Sequence, residues 1–371
     1  MTGLHFTIAA LLAPVAFGAN YLMYVGTYTN PGDNSQGIYA FKFDSATGQA
    51  TPLGLAAETA NPSFLAIHQN RKYLYAVSEK EAGKVNAYLI DSATGKLKLL
   101  NTVDSQGATP CHLNVDKTGT NVLVANYGGG SVAVLPINGD GSLKPASSMV
   151  QHTGSNFRPG HTGPHAHSVN LSPDNRFAIV ADSALDEVKV YKFDATAGKI
   201  VPNEPPAAKM EGGNGPRHFA FHPNGKNAYV LNEAALSITA FKWHAEKGVL
   251  KATQTISTLP PDFTGSRDNF STAEVVVHPS GKFVYGSNRG HDTIGVFRVK
   301  GSKLAYVENL PTQGKTPRNF VVDPSGQFLL AENERSASIV VFKIDQKTGK
   351  LTPTGATLAV GAPVCIRFLP L

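Results

Sequence analysis

The amino-acid sequence predicts an all-β fold, a seven-bladed β-propeller of four-stranded blades, and three observations carry that expectation. A strand–turn–strand unit recurs six times, with starts near residues 62, 110, 166, 216, 272 and 317, and a period of about 45–56 residues is that of a blade array. Each unit continues into a third strand and a short fourth one. The two ends of the chain supply complementary pieces of a seventh unit.

The first two strands are clearest in "GPRHFAFHPNGKNAYVLNE", Gly215 to Glu233, whose middle alternates apolar and small residues as a half-buried strand would. Its relatives are "NPSFLAIHQNRKYLYAVSE" from Asn61, "TPCHLNVDKTGTNVLVANY" from Thr109, "PHAHSVNLSPDNRFAIVADS" from Pro164, "STAEVVVHPSGKFVYGSNR" from Ser271 and "TPRNFVVDPSGQFLLAENE" from Thr316. Third strands follow, such as "DEVKVYKFD" and "DTIGVFRVK". Turns with Gly and Asp or Asn then supply the positive φ that tight hairpins need. Fourth strands are expected to begin at Leu97, Leu143, Ile200, Leu250, Leu304 and Leu351.

At the N-terminus, "YLMYVGTYT", "GIYAFKFDSATG" and "QATPLGL" read as strands two, three and four, and the C-terminal "APVCIRFLP" as strand one. Joining them closes the ring and removes the edge an open array would expose. One domain, 21–371, is therefore expected. Residues 1–20 stand outside the repeat: the apolar run Phe6 to Phe17, with Ala16 and Gly18 suited to a signal-peptidase site, reads as a signal peptide, so a periplasmic or secreted location is expected, and a cytoplasmic one if the leader does not function.

Composition excludes more than it assigns. The 371 residues are 42% hydrophobic with a net charge of +6, and no basic run or aromatic-interleaved Arg/Lys stripe suggests nucleic acid. A mild positive charge suits a small anion. Cys111 and Cys365 fall in first strands of units that are not neighbours, so no disulfide is expected. The tract from Gln151 to His167 holds four of the twelve His but matches no zinc spacing, and no metal or cofactor is expected. Neither G-x-S-x-G, H-E-x-x-H nor a P-loop is present.

Repeats need only apolar packing and turns at equivalent places. Chemistry shows where the units differ. At the starts of the first strands the equivalent residues are Ser63, Cys111, His167, Arg217, Ala273 and Arg318, followed by Phe64, His112, Ser168, His218, Glu274 and Asn319. The second strands end in Ser78-Glu79, Asn126-Tyr127, Asp182-Ser183, Asn232-Glu233, Asn288-Arg289 and Asn333-Glu334. The two sets should share one face near the axis, where arginines can hold an anion and a carboxylate and imidazole can move protons. The recurring Asn, with Glu79 and Glu334, have the plainer reading of turn and ion-pair residues.

The motifs "PHAHSVNLSPDNR", "GPRHFAFHPNGK", "VLNE", "STAEVVVHPSGKFVYGSNRG" and "TPRNFVVDPSG", in this order, resemble the seven-bladed propeller lactonases, which include 6-phosphogluconolactonases and carboxymuconate cyclases. The resemblance implies catalytic roles for His167, Arg217, Glu233 and Arg289, with His165, His218 and Arg318 as substrate-binding neighbours. It implies a hydrolase that opens an anionic sugar lactone; a monomer without nucleic-acid partners, and without membrane partners once the leader is removed, is expected. A lactone-forming cyclase and a non-catalytic exported ligand binder are the alternatives.

Overall fold

The computed structural model describes residues 20–154 and 160–371. Among them, 28 strands form seven four-stranded antiparallel sheets. Six sheets are contiguous in sequence; they are blades one to six in chain order. The seventh, the closing blade, is built from Pro363–Pro370, Asn20–Thr27, Gly37–Asp44 and Gln49–Glu58. Its inner strand pairs antiparallel with the N-terminal strand, Tyr21 opposite Pro370 and Val25 opposite Ile366. The seven inner strands touch one another in a closed circle, so they line a central channel. The expected leader lies almost wholly outside the described residues, among which no helix is long and apolar enough to cross a membrane.

The second strands differ from expectation. Asn121–Asn126, Phe177–Asp182, Asn227–Asn232 and Phe328–Asn333 are buried along their whole length. Both faces of each blade pack against a neighbouring blade, so what reads as half-buried alternation is a strand with apolar contacts on two sides. Wet positions appear towards the outside of each blade, most of all in the outer strands, as in Leu97–Asp104. The outer strand of blade two is a second correction. It spans Ser148–Gln151 and does not begin at Leu143, which makes only an isolated bridge to Ile137. Pro145 intervenes and has no amide to donate to a ladder.

Neighbouring blades interlock through their turns. Gly48 of the closing blade has φ 73°, and a Cβ there would lie 2.7 Å from the Phe328 ring of blade six. Glycines at the same turn of blades two, four and six sit on Tyr73, Phe177 and Phe283 in the same way. The histidines of the first-to-second-strand turns add a second latch. His68, His222 and His278 each place Nε2 2.8 Å from a carbonyl of the next blade, that of Gly119, Gly281 and Gly326. These turn histidines are ring fasteners. Cys111 and Cys365 are buried free thiols, without the disulfide that sequence spacing also spoke against.

Candidate active site

The channel mouth is built by a repeated backbone device. Six of the seven inner strands carry a register shift near their first residue, which leaves Val364, Cys111, His167, Arg217 with His218, Ala273 with Glu274, and Arg318 opposite no partner. Such a bulge turns an extra side chain away from the ladder. Upstream by two residues, Asn61, Thr109, Gly215, Thr316 and Ala362 lie in the left-handed region, with φ between 39° and 63°. For the β-branched Thr109 and Thr316 that is a strained conformation, held by the surrounding fold.

The result is one cleft at the mouth, lined by His167, Arg217, His218 and Arg318 together with Tyr28 and Glu79. Glu233 and Arg289 adjoin it. Arg289 Nη2 donates to Glu233 Oε1 and to the Thr272 carbonyl at 2.9 Å, and Arg217 Nε stands 3.9 Å from the same Glu233 oxygen. Arg217 also donates from Nη1 to the Ala273 carbonyl. Across the mouth, Arg318 lies over the Tyr28 ring and donates from Nη2 to its hydroxyl at 2.7 Å; that hydroxyl donates to Glu79 Oε2 at 2.9 Å. His165 sits further out, stacked on Tyr127, whose ring meets His167 edge-on.

Burial and charge set the protonation states. Burial holds the His167 imidazole well below its ordinary range, and the Arg217, His218 and Arg318 side chains push it the same way. Arg217 is pushed down to about 10, first by burial and then by Arg289 and Arg318, and keeps its charge at neutral pH. Its Nε–H is buried and without a hydrogen-bond partner among the described residues. Cys111 Sγ lies 3.7 Å from His167 Nδ1, yet burial pushes its thiol far up, so it is no thiolate nucleophile.

Below the mouth the channel stays polar. His218 Nδ1 lies 3.0 Å from Glu274 Oε2, which also accepts from Asn319 Nδ2 at 2.9 Å. His112 Nδ1 accepts the Val169 amide at 3.3 Å, and burial with neighbouring cations keeps this ring neutral too. Beneath them is Glu332, fully buried, with neither carboxylate oxygen hydrogen-bonded among the described residues. Burial and the nearby Glu274 raise its pKa well above normal, only partly offset by Arg367. The folded chain therefore keeps this proton while the unfolded chain loses it above the ordinary carboxylate range, and stability falls as pH rises through that window. Equivalent positions hold Val77, Ala125, Ala181 and Leu231. Glu332→Leu should accordingly raise the melting temperature at pH 8 by a few degrees and leave it unchanged at pH 4. An equal shift at both pH values would show that packing, not protonation, governs the site.

Sequence reasoning missed Tyr28 as a wall of the mouth and took Glu79 for a turn or ion-pair residue. The signal was present: Tyr28 follows the second strand of the closing blade, in the place taken by Glu79, Tyr127, Ser183, Glu233, Arg289 and Glu334 in the others. The end-of-strand asparagines are structural. Asn126, Asn288 and Asn333 donate to the carbonyls of Ser105, Thr258 and Thr312, at 2.9, 3.0 and 3.2 Å.

Comparison with known proteins agrees with this geometry. The family described as lactonase, 7-bladed beta-propeller, matches residues 22–368. A Bacillus subtilis protein named 6-phosphogluconolactonase is 38% identical over 352 residues, covering 94% of this chain and 98% of that relative. A Bacteroides fragilis crystal structure superposes with a TM-score of 0.88 at 35% identity, covering 96% of this chain and 99% of that one. The periplasmic gluconolactonase of Pseudomonas aeruginosa superposes with a TM-score of 0.88 at 30% identity, covering 95% and 99%.

Proposed function

Because the chain belongs to the seven-bladed β-propeller lactonase family, we propose that its channel mouth opens the ring ester of an anionic sugar lactone, with His167, Arg217, Glu233 and Arg289 as the catalytic groups. The chain is a lactone hydrolase. The observation that supports this assignment of roles is the shared cleft of a neutral imidazole and a buried guanidinium with a free Nε–H.

In this reading His167 takes a proton from the attacking water, whose oxygen bonds to the lactone carbonyl carbon. Arg217 donates to the carbonyl oxygen as it gains negative charge. The tetrahedral intermediate then collapses: the bond to the ring oxygen breaks, the imidazolium returns its proton to that oxygen, and a hydroxy acid leaves. Glu233 holds Arg289 and faces Arg217, which positions both guanidinium groups. An anionic substrate offsets the field of the arginines and lifts the His167 pKa towards the range where a base works best. Binding thus tunes the catalyst.

That the protein acts as a monomer and without a cofactor is part of the same proposal. Export is proposed on the leader-like residues 1–20 and on similarity to the periplasmic relative. Titration of acid release from a panel of sugar lactones by the purified protein tests the activity; no release from any of them would refute it. Mass spectrometry of the natural protein should find an N-terminus near Ala19 or Asn20, and an intact Met1 would remove export.

A further inference from the structure

A second cavity, of about 230 Å³, lies beneath the layer of Phe64, His218 and Asn319, which line both it and the mouth. Its other walls come from further along the inner strands, towards the opposite face of the ring. They include Asn114, Asn170, Phe219, Phe320 and Arg367. None of these five has a part in the proposed hydrolysis.

Arg367 brings a charge that its surroundings do not answer. Its half-buried guanidinium lies over the Phe64 ring, 4.5 Å from the centroid, which holds its plane. It spends Nη1 on the Ile366 carbonyl at 2.6 Å and forms no ion pair among the described residues. Two carboxyl groups are near, and neither is free to pair with it. Glu274 is already engaged: Oε1 accepts the Val275 amide at 2.9 Å, and Oε2 meets His218 Nδ1 and accepts from Asn319. Glu332 keeps its proton, because burial holds its carboxyl well above the ordinary range. The remaining polar groups add donors. His112 Nδ1 accepts the Val169 amide, so the neutral ring carries its hydrogen on Nε2. Asn170 Nδ2 is buried and has no hydrogen-bond partner among the described residues. Donors left without acceptors cost desolvation free energy that an occupant would recover.

Independently of the reaction at the mouth, we infer that this lower cavity binds a small hydroxy monocarboxylate, with Arg367 taking the carboxylate group. A planar carboxylate matches the unused edge of the guanidinium. The amides of Asn114, Asn170 and Asn319 can donate to hydroxyl groups or accept from them, and Phe219 and Phe320 cover a short carbon chain. A dianion fits less well, since Arg367 alone would balance it against the nearby Glu274. A bare inorganic ion would leave most of the space unfilled.

The probe is gluconate, titrated into the full chain by calorimetry, with the neutral polyol sorbitol as control. Gluconate should bind the wild type and raise its melting temperature, because a ligand of the folded state stabilises it; sorbitol should do neither. Arg367→Gln should weaken gluconate binding about tenfold or more, the worth of hydrogen bonds to a charged group. Asn170→Asp places a second carboxylate in the wall at nearly constant volume. It should weaken binding too, and it decides the matter if Arg367→Gln does not fold. Arg318→Gln, at the mouth, should leave this binding unchanged. Binding lost in Arg318→Gln but kept in Arg367→Gln would put gluconate in the mouth and overturn the inference. Binding indifferent to both lower-cavity variants, equal binding of sorbitol, or no binding of gluconate at all would overturn it as well.

Discussion

Replacing His167 with Gln should lower kcat for lactone hydrolysis by about 10²–10⁴, the usual contribution of a general base, with KM and melting temperature near those of the wild type. Gln fills a similar volume and keeps hydrogen-bonding groups, so the loss should report proton transfer and not packing. The pH profile separates this role from a structural one. His167 is held well below its ordinary range by burial and by Arg217, His218 and Arg318. Activity needs the neutral imidazole. In kcat/KM, which reports the free enzyme, it should therefore stay level from neutral pH down past the normal histidine range and fall only at more acid pH. Removing a neighbouring cation removes one cause of the depression, so Arg318→Gln should move the acid limb upward in pH. An Arg318→Gln profile that coincides with the wild type, or a fully active His167→Gln enzyme, would pass the base role to Glu233. In that event Glu233→Gln should carry the large loss in kcat instead.

Deleting residues 363–371 should abolish the native ring. The segment is the inner strand of the closing blade, and seven register pairs join it to the N-terminal strand. It also contributes Cys365, Ile366 and Leu369, all buried, to packing against blades one and six. Removing it would expose the edge of Asn20–Thr27 and part of two inter-blade cores at once, and exposed edges pair with other chains. Aggregation, or a melting transition lowered by tens of degrees, is the expected result in a thermal scan. A soluble truncated protein with unchanged melting would show that ring closure contributes nothing to stability.

The path from residues to site was short where repetition could be compared. Aligning the units isolates the positions at which charge replaces a repeated apolar or polar residue. His167, Arg217, Arg318, Glu233 and Arg289 are all visible that way, as is their placement on one face. Tyr28 was equally visible, but the closing blade is split between the chain ends and its second strand was not set beside the others. His165 was less legible. Its sequence position suggests a substrate contact, whereas its ring stacks on Tyr127 and reaches the cleft only through that residue.

By itself the sequence determined the number of blades, the way the ring closes and the face that bears the chemistry, because a repeat writes the same local physics seven times and any departure stands out. Only the tertiary structure decided which departures act together. A bulge at the head of the inner strands decides which side chain points into the channel, and the circle of blades decides which arginine meets which carboxylate. Burial then decides charge: His167 is a neutral imidazole, and one residue type is a protonated acid at Glu332 but a pairing carboxylate at Glu274 or Glu233. Those states follow from desolvation and from neighbours about fifty residues away in the chain, and neither is written in any local stretch of sequence.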